Sequence, residues 1–99
     1  MSFYQVTSSE LRNRAEEMKS LNSRFKSQEE SLRSLEQNLK TMWEGEANET
    51  FHAAFIHDAS QMDAFHETVE QYIAAILVIA ERYEIAERKN AEIARTRNY

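Results

Sequence analysis

The chain has 99 residues, with one glycine, no proline and no cysteine; 29% of its residues are charged, 41% are hydrophobic, and the net charge is −5. That length holds a single domain, and so few turn residues exclude sandwiches, barrels and loop-rich α/β folds in favour of long helices. Without cysteine there are no disulfides, thiolate metal sites or cysteine nucleophiles.

The first helix is expected to start near residue 7. Thr7 reads as an N-cap, Glu10 three residues on completes a capping box, and Val6 and Leu11 can staple across the first turn. Leu11, Met18, Phe25, Leu32 and Leu39 then recur every seven residues. A second line, Leu21, Leu35 and Met42, is broken by Arg14 and Gln28. This heptad stripe predicts one helix running to about residue 42. Gly45, the sole glycine, is the natural point of reversal, because it takes positive φ at little cost.

Beyond the turn, apolar residues alternate at spacings of four and three: Phe51, Phe55, Met62, Phe65, Val69, Tyr72, Ile76, Ile79, Tyr83, Ala86 and Ile93, with Asp58 and Asn90 as the polar members. The pattern predicts a second helix over about 47–94, a turn at 43–46 and a frayed tail to residue 99. The expected fold is all-α, a single-domain antiparallel helical hairpin.

A lone hairpin has one seam and cannot surround a core. The run Ile73 to Ala80 is apolar around most of the helix, and pairing about Gly45 sets it opposite residues 10–17, where only Leu11 and Ala15 are apolar. A second hairpin would cover it, giving a four-helix bundle with Ile73, Ile76, Leu77 and Val78 at or beside the dimer interface.

The turn residues are Trp43-Glu44-Gly45, midway along a chain of about a hundred residues. With heptad patterns on both sides, the whole chain resembles the WXG family, small proteins similar to the early secreted antigenic target and exported by type VII secretion systems. The resemblance implies a hairpin that dimerises, with itself or with another WXG-type protein, and a C-terminal Tyr-x-x-x-Asp/Glu secretion signal. Tyr83-Glu84-Ile85-Ala86-Glu87 fits that pattern in its Glu form. On this reading the protein is cytoplasmic before export and then secreted, with the secretion machinery as a partner. Glu87, off the apolar series and beyond the start of the first helix, is expected to be accessible. Trp43 reads as an aromatic plug at the turn, and Gly45 as a structural requirement of the reversal.

Residues 44–82 carry eight acidic residues against one basic residue, Arg82, which argues against nucleic acid as a partner. Met1 to Gln5 have neither a basic n-region nor an apolar h-region, so export is expected without a Sec-type signal. The apolar run 73–80 is far short of the roughly 20 residues that span a bilayer. His52, His57 and His66 lack the spacing of a metal site, and His66-Glu67-x-x-Glu70 lacks a second histidine; no cofactor or metal is expected. No nucleophile–base pair or phosphate loop is present, so the protein is not expected to be an enzyme. Besides the exported-protein reading, a targeting chaperone for a larger co-secreted toxin fits the same apolar surface. A membrane-active effector fits less well, since interfacial helices usually carry Lys/Arg on their polar face.

Overall fold

The computed structural model of the protein describes residues 6–43 and 45–96. Two helices, α1 (Ser8–Met42) and α2 (Glu46–Thr96), lie side by side in a rod of 83 × 24 × 20 Å. Thr7 is extended (φ −97°, ψ 158°), and its Oγ1 accepts the Glu10 N–H at 3.1 Å. Its carbonyl accepts the Leu11 N–H at 3.1 Å. This is the N-cap that the Thr-x-x-Glu pattern implies.

At the other end of α1, Trp43 is extended (φ −122°, ψ 113°). Gly45 has φ +117°, and its carbonyl accepts the Glu49 N–H at 3.2 Å, so this glycine also opens α2. A Cβ at Gly45 would meet no atom within 4 Å. The need for glycine is therefore conformational rather than steric. Trp43 packs on Phe51, one turn into α2, with ring centroids 5.7 Å apart, and this closes the turn end of the rod.

The helices meet along a line that the apolar pattern does not mark. The buried residues of α1 are Ser8, Ala15, Asn22, Glu29 and Glu36, each seven after the last. Those of α2 are Asn48, Ala59, Ile73 and Ala80, with His52 and His66 half-buried on the same seven-residue line as Ala59. The heptad stripe Leu11, Met18, Phe25, Leu32 and Leu39 does not fill this seam. They flank it, half-buried or exposed. Small side chains let the helix axes approach, and Asn22, Glu29 and Glu36 stay because each finds a partner on or across the seam, whereas the Asn48 Oδ1 has none. Asn22 donates to the His66 carbonyl at 3.1 Å and to Glu70 at 3.0 Å. Glu29, 1% exposed, accepts from Arg33 at 2.6 Å, and Glu36 pairs with His52 Nδ1.

Either side of that line, the rod has two unlike edges. On one, Arg12 pairs with Glu84 at 2.9 Å, while Lys26 and Arg33 clasp Asp63 at 2.9 and 2.8 Å. These cross-helix pairs set the register. In this register Ala15, Glu16 and Lys19 line a groove with Ile73, Ala74 and Leu77, as pairing about Gly45 implies. On the other edge the large apolar side chains stand largely in water.

Candidate functional site

The apolar edge is built from the heptad lines next to the seam. Phe25 of α1 and Phe65 of α2 meet across it with centroids 5.4 Å apart and planes tilted by 57°. Around them Met18, Leu21, Asn22 and Val69 complete a shallow groove, which Met62, Asp58 and Gln61 continue toward the turn. Leu21 is 59% exposed, Leu35 64%, Phe65 57% and Tyr72 59%. Among the described residues the only buried hydrophobic side chains are Ala15, Ala59, Ile73 and Ala80. The described residues thus bury three alanines and one isoleucine while leaving several large apolar side chains of one edge in water, the kind of patch that marks a candidate interaction surface.

The residues expected at a dimer contact do not form one surface. Ile73 is buried between the helices, Ile76 is half-buried beside it, Leu77 lies on the charged edge near Lys19, and Val78 faces outward. Four residues within one and a half turns point around most of the helix circumference. The neighbour that does extend the apolar edge is Ile79, seven residues after Tyr72 and fourteen after Phe65.

At the turn, Trp43 is half-buried against Phe51 and Gly45 is exposed with its positive φ. Glu44 lies outside the described residues.

At the far end, Tyr83 and Glu87 are both exposed, and the Glu87 carboxylate is hydrogen-bonded. Glu87 falls seven residues after Ala80, on the seam line itself. Its Oε1 accepts the Ser8 N–H at 2.9 Å and its Oε2 accepts the Ser8 hydroxyl at 2.9 Å. Glu87 is exposed, as expected, but it stands in line with the seam, which follows small and polar residues rather than the apolar series, and its carboxylate is bonded to α1. α2 does project past its partner, since residues 88–96 continue the helix beyond the level of Ser8. Seven-residue spacing of polar residues was the available signal for Ser8, Asn22, Glu29 and Glu36; Glu87 follows Ile73 and Ala80 on its line and carried none.

The histidines serve the hairpin. His52 pairs with Glu36, and His66 lies 3.5 Å from Glu70 and 3.9 Å from Glu67. His57 faces Gln61 at 3.3 Å on the outer surface. Among the described residues no group of three or more His, Asp or Glu side chains is placed to hold a metal ion, and no helix is long and apolar enough to cross a membrane. On the charged edge, hydrogen bonding from Lys26 first, with the Arg33 charge beside it, holds the Asp63 carboxyl below the usual carboxylate range. The same Asp63 raises the Lys26 ammonium.

No curated protein and no solved structure matches the chain significantly. The family described as WXG100, proteins of 100 residues with WXG, matches residues 4–88. A hairpin of two long helices that ends its first at Trp43 and opens its second at Gly45 accords with that match over most of the chain. The chain belongs to the WXG100 family, the small helical proteins of type VII secretion.

Proposed function

We propose that the protein is exported through a type VII system as a dimer of hairpins joined along the apolar edge, with Tyr83 and Glu87 read by the secretion machinery. The observation that carries the dimer is the surface the hairpin leaves in water. Its accessible area is 8134 Å² at a mass of 11.6 kDa, where a globular monomer of that mass exposes about 5,800 Å². That excess is larger than the roughly 800 Å² per partner of a standard interface. The contact is centred on Leu21, Leu35, Phe65 and Tyr72, with Ile76 and Ile79 toward the open end. Ile73 is already used inside the hairpin.

The signal reading is supported by Tyr83 and Glu87 standing one turn apart on a helix that continues past the end of its partner. Its test is secretion of Glu87→Ala from a strain with an intact type VII system, scored against intracellular level. The reading expects export to fall while helicity and dimer mass persist. Normal export would remove Glu87 from the signal.

A second reading, a targeting chaperone for a larger co-secreted toxin, draws on Val78 and Ile85. Both are exposed on the outer side of α2, away from the apolar edge. A hairpin dimer would leave them uncovered and free for another partner.

A further inference from the structure

Ser8 is the first residue of α1, and its N–H is one of the four that a helix cannot satisfy from within. Glu87 satisfies it. Both carboxylate oxygens are occupied, one by that N–H and one by the Ser8 hydroxyl, each at 2.9 Å. A turn further along, the Arg12–Glu84 ion pair at 2.9 Å holds the same ends of the two helices together. Tyr83, four residues before Glu87, is exposed. Both residues of the motif are exposed, and the difference is that the carboxylate is tied to the start of α1 by two hydrogen bonds.

We propose that the first turn of α1 is a latch on Glu87, and that a receptor reading Tyr83 and Glu87 together binds the unlatched form. The inference rests on the export-signal reading above. A receptor that offers its own donors to the Glu87 carboxylate competes with Ser8, and its apparent affinity is proportional to the fraction of time the carboxylate is free. A latch closed nine-tenths of the time weakens binding about tenfold. Opening it disturbs little, because only the first turn of α1 has to fray, and helix ends open locally far below the free energy of global unfolding. The latch thus couples the order of α1's start to the availability of the signal. Anything that draws the N-terminal turn away from α2 exposes the carboxylate.

Ser8→Pro tests this directly. Proline is favoured at the first position of a helix, where it removes the N–H without disturbing later turns. Thr7 already has the extended conformation that a residue before proline requires. The variant therefore deletes both donors to Glu87 and keeps the helix start. In a pulse-chase secretion assay in a type VII-competent strain, Ser8→Pro should be exported about three- to tenfold faster than wild type. Ser8→Ala, which removes the hydroxyl alone, should fall between them. Ser8→Pro/Glu87→Ala should be exported as poorly as Glu87→Ala. Export of Ser8→Pro and Ser8→Ala at or below the wild-type rate, with helicity unchanged, would overturn the latch even while Glu87→Ala remained defective. If Glu87→Ala were exported normally, the signal reading itself would fail, and the latch with it. Should Ser8→Pro prove unfolded, Ser8→Ala alone decides.

Discussion

The two edges of the rod have the same length and the same heptad geometry but opposite chemistry. Along one, Arg12, Lys26 and Arg33 reach Glu84 and Asp63 across the seam. Along the other, Leu21, Leu35, Phe65 and Tyr72 face solvent. Half-exposed ion pairs contribute only tenths of a kcal/mol each, so the charged edge fixes register rather than holding the hairpin closed. Apolar burial drives association but does so without direction. The hairpin thus separates two kinds of surface: charge aligns its own helices, and the apolar edge is left uncovered.

The largest effect should follow from polarising the apolar edge. Phe65→Glu would place a carboxylate in the proposed contact, at a cost of several kcal/mol, and should yield monomers by sedimentation, with helicity lost as the concentration falls. Arg12→Glu on the other edge should leave the dimer intact. If the two substitutions affected mass alike, the division between edges would be wrong.

Next in size is the turn that both edges share. Gly45→Val forces a β-branched residue to φ +117°, a strain of about 1–3 kcal/mol. The melting temperature should drop further than in Trp43→Ala, which leaves a gap in a half-buried stack. Equal melting of wild type and Gly45→Val would show that the reversal does not need glycine.

Glu87→Ala should destabilise by about 1 kcal/mol, because it removes a cap from α1. Chemical denaturation would read this as a lower midpoint with unchanged slope. A change indistinguishable from zero would mean that the Ser8–Glu87 bonds do not persist in solution.

The smallest effect concerns acid. Asp63's carboxyl is held below its ordinary value, so its contribution to stability is present above the unfolded pKa of about 3.9 and lost as pH falls through the folded value. Melting of Asp63→Asn followed from pH 6 to pH 3 should be flatter than that of wild type. Parallel curves would remove Asp63 from the charged edge's account.

Much of the fold was legible from residues that act locally. Thr7 and Glu10 mark the start of α1, Gly45 marks the reversal, and the spacing of Phe25 and Phe65 places both on a helix face. What the heptads did not reveal was which interface they serve. Hydrophobicity reports that a side chain leaves water, not whether its own chain or another covers it. The internal seam was hidden because its members are polar or small, and their justification lies far away in sequence: Glu36 with His52, Asn22 with Glu70, Ser8 with Glu87. A fainter signal was present in Arg12, Lys19, Lys26, Arg33 and Lys40, five basic residues at strict seven-residue spacing. They mark the edge that meets the acidic second helix, and therefore the seam beside it. For the candidate site, Tyr-x-x-x-Glu could be found by spacing, but the engagement of Glu87 needed the register.

The central claim is that a second hairpin covers the apolar edge. Light scattering on the purified wild-type chain at micromolar concentration tests it most directly. The account predicts a particle of twice the 11.6 kDa chain mass, whereas a fully helical, stably folded monomer at that concentration would contradict it.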